Sequence, residues 1–197
     1  MGDSALKKEL SIKEYIELEE KSLQKNEFFG GEIYAMAGGK PSHALISNNI
    51  AAELRNSLKG KPCLAYNSDL AITTAEDEFV YADASVVCGE IESYSEHPNA
   101  AKNPILIVEV LSDSSEKYDR GEKFRKYQQI ESLREYLLIA QDRIRVEVYS
   151  KHDNIIFWQC GMPSNRSYES LNDVIELKSI NCDVALSDIY LGWKKEA

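Results

Sequence analysis

The sequence predicts an α/β (α+β) fold, a single domain in which helices pack on a mixed β-sheet. Three observations carry this. Helical and strand periodicities follow one another in the order helix, hairpin, helix, strands, helix, strands. Ile105 to Leu111 is an apolar run rich in β-branched residues, the pattern of a strand covered on both faces. The chain has 197 residues, 43% of them hydrophobic, which suits one proper core and argues against extended disorder. Residues 1–10 read as a flexible lead-in and residues 11–197 as the domain.

The elements follow in order. Ser11 and Glu14 form a capping box that opens an amphipathic helix, SIKEYIELEEK. Asn26 to Ala37 reads as two short strands around the Gly30-Gly31 turn. Ser42 is the expected cap of a second helix, whose Ala44, Leu45, Ile46, Ile50, Ala51 and Leu54 recur at helical spacing as far as Leu58. Gly60-Lys61-Pro62 ends it. Strands are expected over Cys63–Tyr66, Ser68–Thr73, Phe79–Tyr81 and Ala84–Cys88, and the polar, Pro98-containing stretch from Ile91 to Asn103 reads as a loop. After the strand Ile105–Leu111 comes a helix from Tyr118 to Ile130. Further strands are expected over Glu135–Ala140, Ile144–Tyr149, Ile155–Cys160, Val174–Leu177 and Val184–Leu186. Pro163 to Glu169 reads as a loop, and Ser187 to Trp193 as a turn or short helix.

No apolar stretch of the roughly 18 residues needed to span a bilayer occurs. The N-terminus lacks the apolar core of a signal peptide, so a cytoplasmic protein is expected. Cys63, Cys88, Cys160 and Cys182 show no close spacing and read as free thiols, mostly small core residues. The net charge of -10 opposes binding of a polyanion by an evenly charged surface. Residues 117–126 are the local exception: Lys117, Arg120, Lys123, Arg125 and Lys126 face only Asp119 and Glu122, a balance of +3 that could guide a polyanion. A solvated helix face is the plainer reading.

Glu109 is the residue that points to chemistry, because a carboxylate inside an apolar strand is costly unless a cation or hydrogen bonds compensate it. Asp83, in YADASVV, stands at the mouth of another β-branched strand. If these strands are neighbours, the two carboxylates converge and repel by roughly 3 kcal/mol at about 5 Å and an effective dielectric near 20. A divalent cation would offset that, and Mg²⁺ takes one or two protein carboxylates with waters and phosphates. The Val110 carbonyl could join Asp83 and Glu109 as a ligand. Lys123 could orient a water or stabilise charge on phosphorus. Asp119 and Tyr127 lie four residues either side of Lys123, although Asp119–Lys123 also reads as a surface ion pair. Glu27, before the glycine turn, is a further carboxylate that could enter the site or simply be solvated. His43, at a helix start, reads more readily as a capping or surface residue than as a ligand. Trp158 and Trp193 read as packing. A GxSxG elbow, an HExxH motif and a glycine-rich phosphate loop are absent.

The series NEFFGGEIYAMAGG…SH, VYADASVV and PILIVEVLSDSSEKYDRGEKFRKYQQI…EYLLI resembles the Uma-type restriction endonuclease family of bacteria, within the PD-(D/E)XK nuclease superfamily, over roughly residues 10 to 190. The resemblance implies a restriction-endonuclease-like mixed sheet flanked by helices, Mg²⁺ (or Mn²⁺) as cofactor, and DNA as substrate. It places Asp83 as the first acid and Glu109 as the second, and Glu27 matches an acid near the N-terminal hairpin. The chain departs from the superfamily in two places. Pro-Asp is here Ala82-Asp83, and the lysine slot two residues after Glu109 holds Leu111, so Lys123 on the next helix is the lysine that fits. Two other readings stand beside this one: a nuclease-like fold without catalysis, acting as a binding or assembly module, and a two-carboxylate hydrolase acting on sugars. A homodimer, with two centres facing a duplex, is also expected of an enzyme cutting both strands.

Overall fold

The computed structural model describes residues 9–36, 38–74, 78–151 and 166–195. The chain runs α1 (Ile12–Glu19), β1 (Asn26–Phe29), β2 (Glu32–Ala35), α2 (Pro41–Ser57), β3 (Cys63–Asn67), β4 (Ala71–Thr73), β5 (Phe79–Tyr81), β6 (Ala84–Cys88), β7 (Ser93–Tyr94), β8 (His97–Ala101) and β9 (Pro104–Leu111). Helix α3 follows, joining an α turn (Glu116–Tyr118), a π segment (Asp119–Lys123) and a second α turn (Phe124–Tyr127). Then come β10 (Glu135–Ala140), β11 (Val146–Ser150), β12 (Arg166–Tyr168), β13 (Val174–Leu177), β14 (Cys182–Ala185) and α4 (Leu186–Ile189).

The central sheet has the order β12-β11-β10-β9-β6-β3. Its β9–β10 pair is parallel, with Glu109 opposite Leu138, and its other pairs are antiparallel, so the sheet is mixed. Strand β9 is buried on both faces. Leu106, Val108 and Val110 enter a core with Ile46, Ile50 and Leu54 of α2, and Ile107 and Leu111 enter another with Phe124 and Tyr127 of α3. The second sheet, β2-β1-β5-β4-β8-β7, lies beneath α1, where Tyr15 stacks on Phe28 and Phe79. One extended stretch belongs to both sheets. It leaves the second sheet at Tyr81 and joins the central sheet at Ala84, so Ala82-Asp83 is the crossing point.

Local chemistry explains most boundaries. The Ser11–Glu14 capping box forms as expected. Gly30 and Gly31 have φ of 58° and 74°, the two positive angles that a type I′ hairpin turn demands. Other expectations are corrected. Lys40, not Ser42, is the N-cap of α2, because Pro41 takes the first helical position, where its missing N–H costs nothing. The stretch Ile91–Asn103 contains β7 and β8 rather than a loop. Pro98 is tolerated because the ladder shifts from Tyr94↔His97 to Ser93↔Ala101 and leaves it unpaired. Arg166–Tyr168, expected within a loop, is an edge strand. Cys63 and Cys88 are not free thiols: they are opposite one another on β3 and β6 and form a disulfide, whereas Cys182 is a buried free thiol. The strand expected over residues 155–160, Trp158 and Cys160 lie outside the described residues. Trp193 packs at an edge, its indole N–H donating to the Gln141 carbonyl at 2.8 Å.

Candidate active site

A cleft of about 470 Å³ opens where the two sheets part, and Glu27, Asp83, Glu109, Val110, Asp119 and Lys123 all line it. They arrive from β1, the crossing before β6, β9 and α3. Strand β6 begins beside β9, so Asp83 lies next to Val110, whose N–H donates to Asp83 Oδ2 at 2.7 Å. From α2 the Ser47 hydroxyl donates to Asp83 Oδ1 at 3.2 Å, and His43 Nε2 lies 3.4 Å from Oδ2. Glu109 points to the opposite face of the sheet from Val108 and Val110, as strand alternation requires, toward α3. There Glu109 Oε1 accepts from Lys123 Nζ at 2.9 Å and from the Tyr127 hydroxyl at 2.8 Å. Strand β1 brings Glu27, whose Oε1 lies 3.0 Å from Lys123 Nζ and accepts the Tyr81 N–H at 3.1 Å. The Tyr81 carbonyl accepts from Lys123 Nζ at 2.8 Å. The three hydrogens of the ammonium are thereby filled.

Asp119 and Lys123 are not a surface ion pair. Both are buried, and Lys123 turns instead to Glu109 and Glu27. The reason is the π segment, whose i→i+5 bonding displaces the ordinary four-residue alignment, a feature common at functional sites. Lys123 and Tyr127 do converge, on Glu109.

The electrostatics follow from burial. Burial pushes the Glu109 carboxyl well above the usual range. Lys123 opposes this, while Asp119 and Asp83 reinforce it. Asp119 is likewise raised by burial, against Lys123 and a hydrogen bond from Ser115. Burial disfavours the Lys123 charge, but Glu109, Glu27 and Asp119 outweigh it and hold the ammonium protonated. His43 is raised by its hydrogen bond to Asp83, against burial. With Lys40 and Asp113 paired at the rim at 3.0 Å, the interior among the described residues sets the carboxyls of Glu27, Asp83, Glu109 and Asp119 beside the Lys123 ammonium and the His43 imidazole. Among the described residues, no three of His, Cys, Asp and Glu converge closely enough to enclose an ion.

All the expected site residues therefore meet in one cleft. The basic stretch does not remain a patch. Arg120 is held by Glu147 through two 2.8 Å bonds and by Glu116, Lys123 is buried in the site, and Lys126 is buried against Glu78 at 2.9 Å with its ammonium over the Phe29 ring. Lys117 and Arg125 are the two of the five that stay exposed. His43 is a cleft residue rather than a cap. Sequence reasoning missed Ser47, Tyr81 and Gln141. Of these, Ser47 alone carried a signal, one helical turn beyond His43.

This architecture, a mixed sheet with helices on it and a carboxylate–lysine cleft at its mouth, defines a nuclease-like α/β fold. The chain belongs to the Uma2 family, described as "Putative restriction endonuclease", whose model matches residues 12–177. Two proteins of Synechocystis sp., both described as uncharacterized, are similar: slr1290, 38% identical over 93% of this chain and 92% of its own, and sll1609, 36% identical over 75% and 84%. A crystal structure from Anabaena variabilis, of "a putative nuclease belonging to DUF820", shares the fold with a TM-score of 0.72 at 16% identity, covering 93% of this chain and 98% of that one. No described helix is long and apolar enough to cross a membrane.

Proposed function

We propose that the protein is a metal-dependent endonuclease that hydrolyses DNA phosphodiester bonds, with Mg²⁺ or Mn²⁺ held by Asp83, Glu109 and the Val110 carbonyl. The observation that carries this reading is the buried Lys123–Glu109 contact, 2.9 Å, in the same cleft as Asp83 on the adjacent strand. The donor set fits such an ion. It is made of hard oxygens, two carboxyls and a carbonyl, too few for an all-protein cage, which suits an ion that keeps several waters. When bound, the ion would supply Lewis acidity and positive charge at phosphorus.

The chain's own residues do the rest. Val110 N–H and Ser47 fix the Asp83 carboxylate in place. Lys123 and Tyr127 hold Glu109, and Lys123 also holds Glu27, a carboxylate in position to orient a water. To meet a reacting phosphoryl group, Lys123 exchanges one of its three bonds, the Tyr81 carbonyl being the uncharged partner.

A second reading, a nuclease-fold binding module without catalysis, is favoured by one observation: Lys123 has all three donors filled. Supercoiled-plasmid cleavage in Mg²⁺ and in Mn²⁺ separates the two. Wild type is expected to nick the plasmid, and Glu109→Gln and Lys123→Ala, each checked for folding by circular dichroism, are expected not to. A folded wild-type protein that cleaves in neither metal supports the module.

A further inference from the structure

We propose that Tyr34, Phe29 and Tyr118 form an aromatic platform at the mouth of the cleft that stacks a base of an unpaired DNA strand, so that the substrate is DNA with exposed bases rather than an intact duplex. This rests on the nuclease reading above and deepens it by naming the form of the DNA.

The hairpin register builds the platform. Tyr34 on β2 is directly opposite Glu27 on β1, and Phe29 follows Glu27 by two residues. Residues opposite one another, and residues two apart, share a face of a β-ladder. Glu27, Phe29 and Tyr34 therefore stand on one face, while Phe28 takes the other and stacks on Tyr15. On the shared face Glu27 reaches Lys123 at 3.0 Å, and Tyr34 lies ring on ring with Phe29, centroids 3.9 Å apart and planes 1° apart. Tyr118, at the start of the π segment, continues the row 5.6 Å from Phe29. Tyr34 and Tyr118 both line the cleft that holds Asp83 and Glu109.

One exposed ring on a surface needs no explanation, but this row is both exposed and held. Tyr34 is 41% exposed. Phe29 covers one face of its ring, so the exposed area belongs to the other face and the edges. The Tyr34 hydroxyl donates to Glu32 Oε2 at 2.9 Å. Phe29 has the Lys126 ammonium 3.9 Å from its ring centroid, and Lys126 is ion-paired with Glu78. A ring fixed in this way loses little freedom when a base settles on it.

The charge of the cleft decides which form of DNA fits. Both lysines that line it, Lys40 and Lys123, are ion-paired with carboxylates, and the chain carries a net charge of -10. The phosphate contacts that supply sequence-independent affinity for a duplex are therefore scarce here. Stacking does not depend on them, because every base has a π-face that an aromatic side chain can take. In a duplex those faces are covered by neighbouring base pairs, so an unpaired stretch is the form that can offer one.

The test is fluorescence anisotropy in EDTA, so that no cleavage intervenes, with three labelled probes: oligothymidylate, an abasic strand of the same length, and a blunt duplex. The abasic strand keeps the phosphates and lacks the bases. Wild type is expected to bind oligothymidylate about tenfold more tightly than the abasic strand, the effect of one stacked base, and more tightly than the duplex. Tyr34→Ala should lose that tenfold and bind the abasic strand as wild type does, and Tyr34→Trp should keep it. Equal wild-type affinity for the two strands, tighter binding of the duplex, an unchanged preference in Tyr34→Ala, or a Tyr34→Ala loss that is the same on both strands overturns the platform. Each of these spares the nuclease reading, which the plasmid assay judges separately. Base-dependent binding by a protein that cleaves neither plasmid nor circular single-stranded DNA in Mg²⁺ or Mn²⁺ upholds the platform and removes the nuclease reading. A wild type that binds none of the three probes overturns the platform whatever it cleaves.

Discussion

Lys123 Nζ lies 2.9 Å from Glu109 Oε1, and neither side chain is more than 6% exposed. Such a pair gains little over an apolar substitute, but removing one partner strands the other. Lys123→Met is therefore expected to cost about 3–5 kcal/mol in urea denaturation, and adding Glu109→Gln to recover part of it. A single-variant cost below about 1 kcal/mol would show that Glu109 is compensated some other way.

Asp83 is expected to be required for divalent-metal binding. In isothermal titration with Mg²⁺, the wild type should show a binding isotherm that Asp83→Ala lacks. Unchanged binding in Asp83→Ala would remove this carboxylate from the proposed ligand set.

His97 predicts a pH effect. It packs 5.0 Å from the Phe79 ring with Nε2 unpartnered, and burial lowers its pKa despite Glu19 and Glu20. The unfolded chain thus takes up a proton near pH 6.5, before the folded one does. Stability from this group is complete above about 6.5 and is lost as pH falls toward the folded value. His97→Leu should flatten the decline in unfolding free energy between about pH 6.5 and 5. An identical decline in the variant would assign it to other groups.

The disulfide predicts a thiol count and a redox effect. Denatured, unreduced protein should titrate no more than two of its four cysteines. With the partners 25 positions apart in the sequence, reduction should lower stability by about 3–4 kcal/mol on chain-entropy grounds. Four reactive thiols would return Cys63 and Cys88 to the unpaired state that their spacing suggests.

How far the sequence could be read depended on the range of the forces involved. The Ser11 cap, the Gly30-Gly31 turn and the apolar frame around Glu109 are settled by residues close in the chain, and each stands where it was expected. Asp83, Glu109 and Lys123 were legible because a lone carboxylate in an apolar strand and the family motifs both mark them. The fate of the basic stretch was not, because Glu147, Glu78 and Glu27 come to it from distant strands. The Cys63–Cys88 pairing depends on β3 lying against β6, which no spacing rule supplies. Strands β7 and β8 were hidden by Pro98 and by the lack of apolar alternation. Gln141 gave no sign at all, since an unsatisfied amide exists only once the wall around it is built.

The π segment of α3 gives the site a tolerance for length that a regular helix lacks. Its wide turn accommodates one residue more than an ordinary helical path would need between Glu116 and Tyr127. Excising Gly121, whose missing side chain leaves open space, would let the helix close into a regular α form at little conformational cost. Tyr127 would then keep nearly its present facing toward Glu109, whereas a deletion from a regular helix turns everything after it by about 100°. Within this helix, a deletion inside the π segment should be milder than one in either flanking α turn.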